Sequence, residues 1–222
     1  MATGLAADAG PPLAKVVVVG DFAVGKTALV RAAAGRALTV GGRWQPMDNN
    51  LVFAADGRPI SIWDASGSPA SLLRFFYRHA AAAVVVCDAT RTVAASAGNA
   101  LAWRHDIRMR ALPPSGSPAE ATQPGDSANE NAFLWMPFPA YVAVTKTDLS
   151  FATGEDRSTW ERWAMANGFA GCFFVTATAP ETVKSLLNEI SQRIPDARAA
   201  ALPPTVRLST VVPPPPRPRI CC

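Results

Sequence analysis

Gly25-Lys26-Thr27, with Gly20 five residues upstream, are the residues whose types and spacing most directly specify chemistry. They fit the pattern G-x-x-x-x-G-K-S/T, in which consecutive backbone N–H groups converge on phosphate oxygens and the following helix directs its positive end at the same anion. Gly20, Asp21, Ala23, Val24, Gly25, Lys26, Thr27 and Ala28 are the expected phosphate contacts. Lys26 would reach the β and γ phosphates as the catalytic cation, and the Thr27 hydroxyl would ligate magnesium. The flanking elements agree with this reading. Lys15 and the branched run Val16–Val19 predict a strand buried on both faces, and Ala28–Ala34 predicts a helix.

Three later segments narrow the ligand. Ile62-Trp63-Asp64-Ala65-Ser66-Gly67 ends a strand with a carboxylate, the position from which Asp64 would hold magnesium through water. Thr145-Lys146-Thr147-Asp148 ends another strand with an N/T-K-x-D string. A carboxylate in the plane of guanine accepts hydrogen bonds from its N1 and exocyclic N2, a pairing adenine cannot reproduce. Thr176-Ala177-Thr178 follows the last strand, where a backbone N–H would meet the guanine carbonyl.

The elements that must carry these residues alternate along the chain. Two extended runs, Asn49–Ala55 and Arg58–Asp64, flank Asp56-Gly57, a favoured hairpin dipeptide, and predict an antiparallel edge strand. Ser71–His79 predicts a short helix, Ala80–Asp88 a central strand and Thr92–Ala111 a long helix, with Leu101, Trp103 and Ile107 as core contacts. Tyr141–Val144 and Gly171–Val175 are the remaining strands, and Asp156–Asn167 and Pro180–Ile194 the remaining helices. This order predicts an α/β fold: a doubly wound, mostly parallel six-stranded sheet of the P-loop NTPase class, with its ligand at the carboxyl ends of the strands.

The domain expectation is a nucleotide-binding domain over residues 14–194, with an N-terminal extension at 1–13, an insertion at about 112–139 and a tail from 195. The extension lacks the basic start and apolar core of a secretory signal. The insertion is rich in Pro and Gly up to Phe133-Leu134-Trp135-Met136, whose expected role is to pack the loop's return onto the domain. Pro203-Pro204 and Pro213–Pro216 make the tail an extended tether. With 222 residues, 49% of them hydrophobic, the chain is long enough for one core. The net charge of +4 is carried by scattered residues, which argues against a nucleic acid partner. Cys87 and Cys172 lie in or beside apolar segments and are expected as buried small hydrophobes. Cys221 and Cys222 end the chain behind the tether, where packing does not account for them.

Taken jointly, these motifs resemble the Rab branch of the Ras-like small GTPases. Trp63-Asp64-Ala65-Ser66-Gly67 is similar to its W-D-T-A-G, and Phe76-Tyr77-Arg78-His79-Ala80 with Val86-Cys87-Asp88-Ala89-Thr90 is similar to its Y-Y-R-G-A and Y-D-V-T. Cys221-Cys222 is similar to its double-cysteine ending, which carries two geranylgeranyl groups. Two lipid chains give stable anchoring where one gives only reversible attachment. The resemblance implies GTP and GDP as ligands with Mg2+, and contact of the Gly67 N–H with the γ phosphate. It also implies a switch in vesicular trafficking, held on the cytoplasmic face of an endomembrane with a cytosolic pool. The implied partners are an exchange factor, a GTPase-activating protein, effectors, and the prenylation and membrane-extraction machinery.

Several positions depart from the family pattern; Ala65 and Ser66 change the middle of W-D-T-A-G but leave Asp64 and Gly67, which do its work. Ser68, followed by Pro69, stands where a glutamine orients the attacking water, so slow hydrolysis is expected. Thr39, in Thr39-Val40-Gly41-Gly42, is the candidate switch threonine for magnesium, at a shorter distance from Thr27 than usual. Thr145 replaces the commoner asparagine, and Thr178 the lysine of S-A-K. The alternatives are a prenylated pseudo-GTPase that never cycles, favoured by Ser68 and Pro69 and opposed by Lys26, Thr27, Asp64 and Asp148, and a P-loop kinase or ATPase, opposed by Thr145–Asp148.

Overall fold

A computed structural model describes residues 13–36, 49–54, 56–65, 73–111, 138–149, 151 and 154–194. The strands are β1 (Ala14–Gly20), β2 (Asn49–Phe53), β3 (Pro59–Asp64), β4 (Ala80–Asp88), β5 (Ala140–Thr145) and β6 (Cys172–Phe174). The helices are α1 (Lys26–Ala33), α2 (Leu73–Tyr77), α3 (Val93–Ala111), α4 (Arg157–Ala166) and α5 (Pro180–Arg193). They form the predicted α/β architecture, a six-stranded sheet in the order β2-β3-β1-β4-β5-β6. Every neighbouring pair is parallel except β2 and β3, so the antiparallel edge strand lies where the Asp56-Gly57 turn places it.

Successive side chains of a strand point to opposite faces, so a strand covered on both sides needs unbroken apolar sequence. Val16 and Val18 join Ala82, Val84, Val86, Tyr141 and Ala143 in one core cluster, packed against α1 and α5. Val17 and Val19 join Ala83, Val85, Val142 and Val144 in the other, with Ile107 of α3 and Trp160 of α4. Full burial of each valine contributes roughly 1.5–3 kcal/mol and each alanine less, which makes β1, β4 and β5 the stable centre of the sheet. Cys87 is buried in the second cluster and Cys172 packs against it, and burial pushes both thiols up to about 12.

The hairpin is tied to the C-terminal end of α5. Arg58 N–H donates to Asp56 Oδ1 at 3.0 Å, Gly57 takes the left-handed φ of 77°, and Ser191 Oγ of α5 donates to Asp56 Oδ2 at 2.9 Å. Helix boundaries follow local chemistry. Asp156 caps α4 by accepting from the Thr159 N–H at 2.7 Å, which puts the first helical residue one beyond the predicted start. α2 ends at Tyr77, short of the predicted His79, because His79 adopts a left-handed φ of 58° that no helix continues. Phe138 packs against the second cluster, while the rest of Phe133–Phe138 lies outside the described residues. The extension over 1–12, most of the insertion and the tail from 195 lie outside them as well.

Gly20 is where β1 must turn out of the sheet. Its φ is 145°, and a Cβ built there would lie 2.5 Å from the carbonyl oxygen of Val86 on β4. Gly20→Ala is therefore expected to lower unfolding stability by about 2–4 kcal/mol, combining overpacking with backbone strain, as read from the urea midpoint at constant slope.

Candidate functional site

The loop between β1 and α1 is shaped by three positive φ angles, at Gly20 (145°), Ala23 (62°) and Gly25 (100°). Ala23 holds this conformation despite its Cβ, a cost of about 1–2 kcal/mol that the surrounding contacts must offset. Gly25 is the N-cap of α1 and provides no side-chain hydrogen bond. No side chain at the cap competes with an anion for the first-turn N–H groups, Ala28 among them, and the helix dipole favours one there. Val24 is buried beneath the loop and Phe22 is 94% exposed on its crest.

Lys26 is buried and folds back over the loop, its Nζ donating to the carbonyls of Gly20 (2.8 Å) and Asp21. Burial lowers its pKa, and the charges of Asp64 and Asp21 partly oppose that shift. These carbonyl contacts satisfy an ammonium that phosphate oxygens would otherwise satisfy. The β1–β3 register pairs Val18 with Asp64 and so delivers the Asp64 carboxylate beside the loop. There Thr27 Oγ1 donates to Asp64 Oδ2 at 2.6 Å, which joins two of the residues expected around magnesium. Among the described residues no three His, Cys, Asp or Glu side chains form a metal cluster. A hydroxyl and a carboxylate fit magnesium when phosphate and water supply the remaining oxygens.

Three strand ends build the other half of the site. The Thr145 hydroxyl at the end of β5 lies within hydrogen-bond reach of the Val24 carbonyl in the loop and, at 2.9 Å, of the Cys87 carbonyl on β4. It joins the phosphate loop to the base segment, a function that needs a short side chain with a hydrogen-bond donor, since both partners are carbonyl oxygens. Lys146 adopts a φ of 58°, and its Nζ pairs with Asp88 Oδ2 at 2.5 Å. Asp148 is exposed, and its Oδ1 accepts from Thr176 Oγ1 at 2.7 Å. Thr178 Oγ1 lies 2.9 Å from the same Thr176 hydroxyl. The Thr176 N–H is committed to Thr182 Oγ1 at 3.1 Å and the Thr178 N–H donates to Thr176 Oγ1 at 3.4 Å, which leaves Ala177 for the expected backbone contact with the guanine carbonyl.

The structure thus brings Gly20, Asp21, Ala23–Thr27, Asp64, Thr145, Lys146, Asp148 and Thr176–Thr178 to the carboxyl edge of one sheet. Thr39, Gly67, Ser68, Cys221 and Cys222 lie outside the described residues. One residue does more than the sequence suggested. Trp103 packs against the second core cluster as predicted for a core residue, yet its Nε1 also donates to Asp21 Oδ1 at 3.0 Å. Asn99, one turn earlier, donates to Asp21 Oδ2 at 2.6 Å. Sequence reading also assigned no site role to Asp88, the partner of Lys146, and a strand-terminal carboxylate level with the N/T-K-x-D strand was the available signal.

Asp88 carries a testable pH signature. Burial raises its pKa, but hydrogen bonds from Lys146 and Thr90 outweigh that and hold it below the usual 3.8. A depressed folded-state pKa contributes stability that is full above the unfolded value and lost as pH falls through the folded one. The stability difference between wild type and Asp88→Asn is expected to be constant from about pH 6 to 8 and to shrink below about pH 4, measured by denaturant unfolding across that range.

Comparison with known proteins agrees with this geometry. Residues 15–113 match the family described as Roc, Ras of Complex, Roc, domain of DAPkinase. The chain is 30% identical over 173 residues to Ras-related protein Rab-7L1 of Rattus norvegicus, covering 72% of this chain and 71% of that one. It is 27% identical over 192 residues to human Ras-related protein Rab-32, with 78% and 74% covered. Ras-related protein Rab-32B of Dictyostelium discoideum is 24% identical over 205 residues, with 86% and 68% covered. By sequence, sheet order and phosphate-loop geometry, the chain belongs to the Rab-like small GTPases of the Ras superfamily, as a divergent member.

Proposed function

We propose that this protein is a guanine-nucleotide switch in membrane trafficking that hydrolyses GTP slowly and is held on an endomembrane by lipids on Cys221 and Cys222. The observation that carries the reading is the meeting of the Thr27–Asp64 pair and the Thr176-held Asp148 on one sheet edge. Bound GTP with Mg2+ supplies the reactive phosphoanhydride and the divalent charge that screens its oxygens. The protein's part is positioning. Lys26 exchanges its loop carbonyls for phosphate oxygens, Thr27 and Asp64 hold the metal side, and the loop and α1 N–H groups hold the rest. Asp148, its orientation set by Thr176, reads the guanine edge, and Lys146 is braced by Asp88. No helix among the described residues is long and apolar enough to cross a membrane.

Ser68 supports slow turnover, since a serine has neither the length of a glutamine nor the amide with which a glutamine orients the attacking water. Single-turnover hydrolysis is expected to be faster in Ser68→Gln than in wild type, by about tenfold or more, with unchanged GTP affinity. Equal rates would remove Ser68 as the cause. Asp148→Ala should weaken GDP binding by at least about 100-fold, the loss of two hydrogen bonds to a carboxylate, with the thermal midpoint of the nucleotide-free protein close to wild type because Asp148 is exposed. Competition with a fluorescent GDP analogue checks this.

A further inference from the structure

A carboxylate inside an anion-binding loop works against its ligand, and Asp21 is such a carboxylate. It directly follows Gly20, its own backbone carbonyl accepts from Lys26 Nζ, and its charge acts on Lys26. Both of its carboxylate oxygens are nevertheless occupied from outside the loop. Asn99 Nδ2 donates to Oδ2 at 2.6 Å, and Trp103 Nε1 donates to Oδ1 at 3.0 Å. These residues are four apart on α3 and therefore lie on one face. Trp103, Ala100, Cys87 and Val24 line, together with Asp21, a narrow cleft between α3 and β4. Hydrogen bonds to an ionised acceptor are about twice as strong as neutral ones, so the pair fixes where the negative charge sits.

We propose that Asn99 and Trp103 are positioning residues for the phosphate loop: they hold the Asp21 carboxylate against α3 and away from the anion that Lys26 receives, so that α3 sets how long nucleotide is retained. Neither touches the reacting atoms, and both act through Asp21. Because α3 is a single helix from Val93 to Ala111, a displacement of the helix moves this clamp with it. The inference rests on the nucleotide reading of the loop given above.

The test is the dissociation rate of N-methylanthraniloyl-GDP from the full-length protein, chased with excess GDP, alongside the thermal midpoint of each variant. Asn99→Ala and Trp103→Phe should each accelerate release by about tenfold, the equivalent of about 1.4 kcal/mol. Neither should accelerate it in an Asp21→Ala background, because the charge they restrain is gone. Asp21→Asn, which keeps an acceptor for Trp103 and loses the charge, should likewise make release insensitive to Asn99→Ala, and serves if Asp21→Ala fails to fold. Unchanged release in the presence of Asp21 would overturn the proposal. So would equal acceleration in the Asp21→Ala or Asp21→Asn background, the signature of a purely structural α3 effect. A wild-type protein that retains no labelled GDP would instead overturn the nucleotide reading, and this inference with it.

Discussion

The close approach of Gly20 to the backbone of Val86 is the constraint on which the site depends. With a Cβ excluded at 2.5 Å from the Val86 oxygen, β1 can stay paired with β4 up to its last residue and still turn abruptly. The turn places Val24 under the loop and starts α1 at Lys26, whose ammonium then lies over the carbonyls of Gly20 and Asp21. A looser exit from the sheet would move Thr27 away from Asp64 and Val24 away from Thr145. One backbone contact at the centre of the sheet thereby aligns three strand ends.

Charge at this edge is held in short, specific contacts. Thr27 donates to Asp64, Lys146 pairs with Asp88, Thr176 donates to Asp148, and α3 donates to Asp21. Removing such groups from water is costly, and a buried ion pair is weak evidence of stability alone. Their concentration at the carboxyl ends of the strands, above an apolar core, fits an arrangement organised around a charged ligand. The branched side chains beneath provide the rigidity and the edge uses it.

Much of this was legible in the sequence because it is local. The valine run of β1 specified a strand covered on both faces, Asp56-Gly57 specified the hairpin, and the glycine-lysine-threonine spacing specified the loop. Boundaries moved by one or two residues where a side chain intervened, as when Asp156 caps α4 or His79 leaves the helical region. The Trp103–Asp21 hydrogen bond was not legible. The two residues are far apart in sequence, and a tryptophan on an amphipathic helix gives the same pattern whether its indole N–H is idle or engaged. The division of labour in Thr176-Ala177-Thr178 was hidden for a related reason. Sequence gave the segment a backbone role, whereas the Thr176 hydroxyl holds Asp148 and its N–H is occupied by Thr182. Lys146 illustrates a third case, since its left-handed backbone carries no glycine to announce it.

The central claim is that the sheet edge binds a guanine nucleotide. Purified protein can be denatured and the released small molecules identified by ion-exchange chromatography and mass spectrometry. The account predicts stoichiometric GDP or GTP and no adenine nucleotide, with the same preference on reloading from an equimolar mixture. Release of no nucleotide, together with no measurable affinity for added GTP or GDP, would contradict it.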